Sequence, residues 1–315
     1  MTEQTIYDTI IIGGGISGFS AAMYAGRLKL NTLVLAGVRG GTIILTNEIA
    51  NWPGIKMTDG ITLAKQVEDH ALSYEGVEAI DTKATKVTKN SDGSFVVTTD
   101  EEGTKEYTSK TIIFATGTEW RKLNVPGEKE FTGKGVHYCA LCDGYFYKNK
   151  EIIVVGGADS AAKEAILLTQ WAKKVVIVYR GDKIRPEPVN LTRVEQKIKE
   201  GKMEIINNTN ITQIFGNDKV THVKFDKPYK GSIEFKTDGV FVEIGHIPQS
   251  QLAISLGVKI DKKGDIIINR GAETNVPGIF AAGDVVDTKF KQAITGSAEG
   301  VLAAYSAYEY VRGKD

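Results

Sequence analysis

A glycine-rich turn near the start of the chain places the tightest constraint on its fold. Gly13, Gly15 and Gly18 have the spacing G-x-G-x-x-G, after the apolar run from Tyr7 to Ile12 and at the start of an alanine-rich segment. Between a strand and a helix, the first glycine permits the tight turn and the second lets the backbone approach a pyrophosphate. The third lets helix and strand pack closely. The turn therefore predicts a dinucleotide site.

The same pattern returns in the second half of the chain. The first glycine turn leads into a helical stretch and then an apolar run from Asn31 to Leu35, which completes a β-α-β unit. Further on, the apolar run from Glu151 to Val155 meets Gly156 and Gly157, and a helical stretch leads to a strand from Val175 to Val178. Two β-α-β units predict two nucleotide-binding domains.

The expected fold class is α/β, with two Rossmann-like domains of the three-layer ββα type. Alternating polar and apolar stretches follow each β-α-β unit and predict the additional β layer. Glycine-bearing turns at Thr116–Glu119 and Gly245–Pro248 are the expected junctions. Two junctions mean that the second domain is inserted into the first. We expect a first domain of residues 1–118 and 247–315 and a second of residues 119–246.

Composition excludes several classes of protein. The 315 residues include 39 basic and 39 acidic side chains, which argues against a nucleic-acid binder held by phosphate contacts. No apolar run reaches the ~18 residues that a membrane span requires, and the start of the chain does not resemble a signal peptide. The sequence therefore predicts a cytoplasmic protein with neither nucleic-acid nor membrane partners.

The chain has two cysteines, Cys139 and Cys142, followed directly by Asp143. Two cysteines are too few for a disulfide scaffold or a four-ligand zinc site, so no metal site is expected and the spacing indicates reversible redox chemistry. At a helix start both sulfurs would share one face, and the helix N-terminus would favour a thiolate. Asp143 is suited to proton transfer at a thiolate. The alternative is a pair of small buried hydrophobic residues.

The second glycine turn is incomplete as a dinucleotide site. Ala158 occupies the position of the second glycine, where a methyl group crowds a pyrophosphate. Arg180 and Arg185 follow the next strand and could pair with a 2′-phosphate, which favours NADP over NAD; alternatively they are solvated surface residues. His246 follows Gly245 at a junction and is a candidate for a hinge or cofactor-edge role.

His137, two residues before Cys139, is more consistent with a structural hydrogen bond than with tuning of the thiol. The first turn also lacks a feature, because no acidic residue stands between Thr9 and Asn47 to bind a ribose. Ribose contacts would have to come from the turn at Gly37–Thr42.

With these residues assembled, the chain resembles the low-molecular-weight thioredoxin reductases, FAD-dependent members of the pyridine nucleotide-disulfide oxidoreductases found in bacteria and archaea. The resemblance covers nearly the whole length, and the order and spacing of its motifs are specific. The matching segments are Gly13 to Gly18, Asn51 to Gly54, Ala115 to Gly117, Cys139 to Gly144, Gly156 to Ala161, Gly245 to Pro248, Ala282 to Asp284 and Gln292 to Ile294.

The resemblance implies FAD in the first domain, NADPH in the second and a homodimer. The residues implied to bind FAD are Gly13, Gly15, Ser17, Gly18, Gly40, Gly41, Thr42, Asn51, Val87, Thr116, Gly117, Gly283, Asp284, Gln292, Ala293 and Ile294. Those implied to bind NADPH are Gly156, Gly157, Asp159, Ser160, Arg180, Arg185 and His246.

The resemblance to these reductases also implies a mechanism. NADPH reduces the flavin, and the flavin reduces a Cys139–Cys142 disulfide through the flavin-proximal Cys142. Cys139 then attacks the disulfide of thioredoxin or a glutaredoxin-like protein, with Asp143 as acid or base. The inserted domain must rotate, because nicotinamide and CxxC use one flavin face in turn, and the junction glycines suit a hinge.

Departures from the family pattern concern the electron donor. Tyr179-Arg180-Gly181 stands where NADPH-using members carry a His-Arg-Arg run, Ala158 replaces a glycine, and Thr42 stands where glutamine is common. The main alternative is therefore the same reductase supplied by NADH, ferredoxin or a deazaflavin. An alternative of another class is a non-catalytic flavin and thiol redox sensor.

Overall fold

The computed structural model describes residues 5–46 and 49–313, apart from the side chains of Leu141 and Cys142. The chain divides into two units. Unit 1 is Met1–Glu119 with Ile247–Asp315, and unit 2 is Trp120–His246.

The described residues form strands and helices that we number in chain order. The strands are β1 Ile6–Ile12, β2 Thr32–Leu35, β3 Val77–Ile80, β4 Ala84–Lys89, β5 Phe95–Thr99, β6 Glu106–Phe114, β7 Thr118–Trp120, β8 Val136–His137, β9 Glu151–Val155, β10 Lys174–Val178, β11 Met203–Ile206, β12 Ile211–Gly216, β13 Val220–Tyr229, β14 Ser232–Lys236, β15 Gly239–Val242, β16 His246–Pro248 and β17 Ile279–Ala281. The helices are α1 Ile16–Arg27, α2 Gly60–Leu72, α3 Glu128–Phe131, α4 Ala140–Asp143, α5 Asp159–Leu168, α6 Pro188–Lys199, α7 Gln251–Ile254 and α8 Ala293–Arg312.

Unit 1 is built on a parallel sheet extended by a hairpin. Its strand order is β3-β2-β1-β6-β5-β4, and β17 also pairs with β6. The long strand β6 joins the two parts, since it pairs parallel with β1 and antiparallel with β5. The crossover from β1 through α1 to β2 is the first β-α-β unit that the sequence predicts.

Alternating side chains of β1 explain the layers of unit 1. Ile11 faces a core formed with α1 and α8, which includes Phe19 and Ala304. Ile10 faces the opposite core, formed with the hairpin and including Val87. Successive strand residues point to opposite faces, so the sheet lies between a helical layer and a β layer.

Unit 2 repeats this architecture. Its parallel sheet has the order β11-β10-β9-β15-β8, and β12-β13-β14 form a separate antiparallel sheet. In β9, Val154 packs in the core that contains α5, whereas Ile153 packs with the three-stranded sheet. The predicted α/β class with two Rossmann-like, three-layer domains is confirmed.

Some local expectations need correction. The second glycine turn opens a helix that ends at Leu168, although the sequence pattern predicts a helical stretch from Asp159 to Ala172. Helix α2 was not anticipated, although Asp59 caps it by accepting a hydrogen bond from the backbone N–H of Thr62 at 2.8 Å. The helix at the cysteines spans only four residues.

The segments that connect the units, β7 and β16, pair with each other. Gly117 and Gly245 lie in these connections with φ of +63° and +95°, and a Cβ on either would meet no atom within 4 Å. Within the described ranges, no helix is both long enough and apolar enough to cross a membrane.

Candidate functional site

The first glycine turn in unit 1 is closed by direct backbone packing. Gly13 has φ of +126°, and a Cβ built on it would lie 2.1 Å from the carbonyl oxygen of Ala115. A Cβ on Gly18 would lie 2.0 Å from the carbonyl oxygen of Gly13. Both positions therefore require glycine, the first for its conformation and both for the close approach of neighbouring backbone.

The N-terminus of α1 is open toward this turn. Gly15 is its N-cap residue, no side chain caps the helix, and the first turn carries no acidic residue. A Cβ on Gly15 would find its nearest neighbour, the Cα of Gly41, at 3.8 Å. Unpaired N–H groups at a helix N-terminus attract phosphate, and glycine leaves room for it.

Ser17 brings the two ends of the chain together at this turn. A Cβ on Gly283 or on Gly296 would lie 2.3 or 2.4 Å from the Ser17 hydroxyl oxygen. The backbone N–H of Gly40 donates to the carbonyl of Gly14 at 2.7 Å. The turn after β2, the turn at Gly283 and the N-terminus of α8 therefore all lie beside the start of α1.

Side chains complete the surroundings of the turn. The Asn51 amide donates to Oε1 of Gln292 at 2.9 Å, and Gln292 also caps α8. The Lys291 ammonium donates to the Asp284 carbonyl at 2.8 Å and pairs with buried Asp265 at 2.6 Å. Ala293 and Ile294 form the first turn of α8. These residues fit an FAD site built from both ends of the chain.

The other predicted FAD residues lie around the margin of this group. Thr42 is exposed in a short 3₁₀ turn with Gly41. The Thr116 hydroxyl donates to the carbonyl of Gln249 at 2.6 Å, and Gly117 follows it. Val87 lies in the core of β4 opposite Val97, so the structure does not bring its side chain to the turn.

The glycine turn of unit 2 is also closed by direct packing, and an aromatic ring lies against it. Gly156 has φ of +152°, and a Cβ on it would lie 2.2 Å from the carbonyl oxygen of Glu243. The Tyr179 ring lies against two glycines, because a Cβ on Gly157 or Gly181 would approach it to 2.3 or 2.6 Å. Tyr179 therefore occupies much of the space beside the turn.

Asp159, a predicted NADPH residue, is engaged within the protein. Its carboxylate accepts hydrogen bonds from the backbone N–H of Glu187 at 2.9 Å and from the Asn190 amide at 2.8 Å, and it pairs with Lys163 at 2.9 Å. It therefore anchors the start of α6 to the glycine turn. Ser160 is exposed beside it in the first turn of α5.

The two predicted arginines remain on the surface. Arg180 is exposed, and the exposed guanidinium of Arg185 donates to the Tyr179 hydroxyl at 3.1 Å. The Arg185 backbone N–H donates to the Gly157 carbonyl at 2.6 Å, which fixes the arginine beside the turn. His246 lies at the first position of β16, where unit 2 ends.

The redox segment lies between β8 and a 3₁₀ turn at Gly144–Tyr147. Cys139 is buried and disulfide-bonded, and α4 begins at the next residue. The side chain of Cys142 lies outside the described part of the structure. Among the side chains that are described, no group of three or more His, Cys, Asp or Glu could hold a metal ion.

A hydrogen-bonded chain encloses this segment. Nδ1 of His137 lies 2.9 Å from Oδ2 of Asp143, and Nε2 of His137 lies 2.7 Å from the Tyr147 hydroxyl. His137 and Tyr147 are each 8% exposed. The expected structural hydrogen bond of His137 is thus present, and its partner is the candidate acid.

Two carboxyl groups, half-buried Glu164 and buried Glu243, lie near the same segment. Glu164 of α5 accepts a hydrogen bond from the backbone N–H of Ala140 at 2.5 Å. Burial raises the pKa of Glu164 to about 7. Burial, together with the charge of Glu164, raises the pKa of Glu243 to about 9. Glu243 therefore remains protonated at neutral pH.

Sequence reasoning missed this pair, although a signal was present. Glu164 shares a helical stripe with buried Ala161 and Leu168, and Glu243 directly follows a fully buried strand. A charged residue within an apolar pattern indicates an unusual environment. Tyr145 and Phe146 are 65% and 74% exposed. The sequence carries no comparable signal for this exposure, because aromatic residues are ordinarily assigned to the core.

Replacing Glu243 by glutamine is expected to change how stability depends on pH. A carboxyl group whose pKa rises on folding favours the folded state at low pH, and this contribution is lost as pH rises from about 4.5 to about 9. The glutamine variant does not have this pH-dependent loss. The difference in unfolding free energy between the variant and the wild type should therefore shift by about 3 kcal/mol in favour of the variant between pH 6 and pH 8.

Denaturation of both proteins at the two pH values measures this difference. Exposed Glu195→Gln is the matched control and should leave the pH dependence unchanged. Parallel pH dependence of wild type and Glu243→Gln would contradict the assignment.

Comparison with known proteins agrees with this geometry. Residues 7–300 match the family described as Pyridine nucleotide-disulphide oxidoreductase. The chain is 40% identical to the thioredoxin reductase of Bacillus subtilis over an alignment of 321 positions, which covers 99% of this chain and 96% of that protein.

Two solved structures have the same fold over nearly the full length. Thioredoxin reductase of Lactococcus lactis gives a TM-score of 0.90 at 37% identity, covering 98% of this chain and 99% of the other. Thioredoxin reductase of T. acidophilum gives a TM-score of 0.87 at 34% identity, covering 96% and 98%. The chain belongs to the pyridine nucleotide-disulphide oxidoreductases and, within them, to the low-molecular-weight thioredoxin reductases.

Proposed function

We propose that this chain is an FAD-dependent thioredoxin-disulfide reductase in which FAD, when bound, relays two electrons from NADPH to a Cys139–Cys142 disulfide. The observation that carries the proposal is the disulfide-bonded Cys139 beside a hydrogen-bonded Asp143 and two exposed aromatic residues. The full-length similarity to thioredoxin reductases favours an enzyme over a redox sensor.

The residues of unit 1 support FAD as its cofactor. The open N-terminus of α1 and the glycines at 13, 15 and 18 suit a pyrophosphate. The remaining FAD residues predicted from the sequence stay part of this assignment, Val87 through its backbone alone because its side chain is buried in the core. Asp284 would bind the ribitol, and the first turn of α8 would lie near the flavin ring.

The glycine turn of unit 2 is the proposed nicotinamide-nucleotide site. Its N-cap residue, Ala158, has no capping side chain, and Arg180 and Arg185 supply exposed positive charge for a 2′-phosphate. Asp159 places a carboxylate in the first turn of α5, which opposes an anion there. We therefore propose NADPH as the donor, with NADH as its competitor.

The cysteines and Asp143 carry out the thiol chemistry. Once the enzyme disulfide is reduced, Cys139 attacks one sulfur of the substrate disulfide and the other sulfur leaves as a thiolate. Cys142 then attacks Cys139, restores the enzyme disulfide and releases the second substrate thiol. Asp143 exchanges protons with the sulfurs in these steps.

The partner is proposed to be thioredoxin or a glutaredoxin-like protein that docks on exposed aromatic side chains. Tyr145 and Phe146 follow the redox segment within the 3₁₀ turn and are 65% and 74% exposed. Exposed aromatic residues beside a reactive group are typical anchors for a protein partner. A small disulfide needs no such anchor.

The double variant Tyr145→Ala/Phe146→Ala is expected to raise KM for thioredoxin about tenfold or more, because each aromatic anchor contributes 1 kcal/mol or more to docking. The KM for a small aromatic disulfide should change little. Steady-state assays with both substrates measure this. Exposed Phe290→Ala is the matched control. Equal losses with both substrates would argue against docking at these residues.

We also propose a homodimer and a cytoplasmic location. Leu302 and Tyr305 of α8 are 43% and 46% exposed, which suits a surface that pairs with a second copy. A disulfide that is reduced in every cycle requires a reducing compartment supplied with nicotinamide nucleotides. During the cycle, unit 2 would turn on the connections that contain Gly117 and Gly245.

A further inference from the structure

The segment that carries the cysteines is closed by one hydrogen bond between its ends. His137 precedes Cys139 by two residues, and Asp143 directly follows Cys142. The 2.9 Å contact between Nδ1 of His137 and Oδ2 of Asp143 therefore spans the whole redox motif. This contact fixes the direction in which the Asp143 carboxyl points.

The His137 ring is itself held on several sides. It stacks on Phe241 at a centroid distance of 5.2 Å and an interplanar angle of 27°. Tyr147 meets it edge-on at 5.4 Å and also packs against Phe241 at 5.3 Å. His137 lies directly opposite Phe241 in the pairing of β8 and β15. A ring packed in this way keeps one orientation.

The contact made by the second ring nitrogen of His137, Nε2, determines which of the two nitrogens carries the proton. Burial, together with the charges of Asp143 and Asp238, raises the pKa of Tyr147, so its hydroxyl stays protonated and donates to Nε2 at 2.7 Å. A neutral His137 then carries its proton on Nδ1 and donates it to Asp143.

The described titratable groups around this ring are few. They are Asp143 of α4 and Tyr147 of the 3₁₀ turn, with Asp238 beyond Tyr147 and itself paired with Lys150 at 3.3 Å. Strand β15 contributes none, because it consists of glycine, valine and phenylalanine.

We propose that His137 is a positioning residue for Asp143, whose carboxyl it holds in one orientation beside the redox motif through the Nδ1–H bond. The inference rests on the proposed function. As the enzyme disulfide accepts the two electrons that the bound cofactor would supply, the S–S bond breaks and both sulfurs become thiolates. Asp143 gives one of them its proton, becomes a carboxylate and later regains a proton from solvent, while the other sulfur stays a thiolate. A carboxyl group that is already oriented loses no freedom when the proton is transferred, so the contact with His137 favours this step.

The test measures kcat and KM for a small aromatic disulfide with NADPH at pH 7 in the holoenzyme. His137→Leu is expected to lower kcat about tenfold and to leave KM nearly unchanged, because the lost contact orients a reacting group and does not bind the substrate. His137→Asn places an amide N–H near the former Nδ1 and should keep kcat within about threefold.

Two further variants distinguish a positioning role of His137 from a general disturbance of the structure. Tyr147→Phe removes only the hydroxyl that contacts Nε2 of His137, and we expect a smaller loss of kcat with KM again nearly unchanged; this variant carries the test if His137→Leu fails to fold. Exposed His70→Leu should behave as the wild type. The rate of flavin reduction by NADPH should be unchanged throughout.

A wild-type kcat in both His137→Leu and Tyr147→Phe would overturn the proposal, as would equal impairment of the leucine and asparagine variants. A wild-type protein that reduces no disulfide would instead refute the proposed function and this inference with it.

Discussion

Replacing Cys142 or Cys139 by serine is expected to abolish disulfide turnover, with a loss of about a thousandfold or more. Serine occupies nearly the same volume but forms no disulfide, so electrons would stop at the flavin. Flavin reduction by NADPH should remain intact in both variants, because the glycines and arginines of the nucleotide sites are unchanged.

The two variants should also differ from each other. In Cys142→Ser the remaining Cys139 thiol can attack a single-cysteine thioredoxin whose sulfur carries a small aromatic thiol in disulfide linkage. The aromatic thiol leaves, and no second thiol on either protein resolves the product, so a mixed disulfide with thioredoxin should accumulate. In Cys139→Ser this trapped species should be absent. Mass spectrometry distinguishes them, and trapping by Cys139→Ser alone would reverse the assigned roles of the two cysteines.

Replacing Gly13 by alanine is expected to eliminate bound FAD. The new methyl group would lie 2.1 Å from the Ala115 carbonyl oxygen, at φ of +126°, so both the backbone conformation and the neighbouring strand must change. The cost should be on the order of 3 kcal/mol or more, and the turn beside the pyrophosphate would be lost.

Gly103→Ala is the matched control. Gly103 also has positive φ, at +88°, but a Cβ there would meet no atom within 4 Å. We expect this variant to lose about 1 kcal/mol and to keep its flavin. Flavin absorbance per protein and the denaturation midpoint measure both effects. Similar losses in the two variants would show that backbone conformation, rather than close packing at the turn, is responsible.

The fold could be predicted largely because it follows from local patterns. Glycine turns after apolar strands specify the two β-α-β units, and alternating residues such as those of β1 and β9 specify two buried faces. Helix α2 was missed although its sequence is more amphipathic than that of α1, because its capping Asp59 lies in a region without a recognisable strand before it.

The site could be predicted in its motifs but not in its supporting contacts. The cysteines and Asp143 stand together in the sequence, so their association needed no structure. The link from Asp143 through His137 to Tyr147 depends on how β8 meets the 3₁₀ turn. The approach of Ser17 to Gly283 joins residues from opposite ends of the chain, which no local pattern reveals.

The electron donor also depends on three-dimensional detail. Ala158 and Gly181 indicated a weakened phosphate site from the sequence. The structure adds that the Tyr179 ring lies against Gly157 and that Asp159 is tied to Asn190. Both contacts bear on whether NADPH or NADH is the donor, because the Tyr179 ring fills space beside the turn and Asp159 adds negative charge there.

The most direct measurement is anaerobic stopped-flow spectroscopy of the FAD-loaded protein, mixed first with NADPH or NADH and then with oxidised thioredoxin. We expect NADPH to bleach the flavin band faster than NADH, and oxidised thioredoxin to restore the band as its own disulfide is reduced to a dithiol. Bleaching by dithionite but by neither nucleotide would contradict the assigned donor. A flavin that NADPH reduces and thioredoxin fails to reoxidise would contradict the central claim that this chain is a thioredoxin-disulfide reductase.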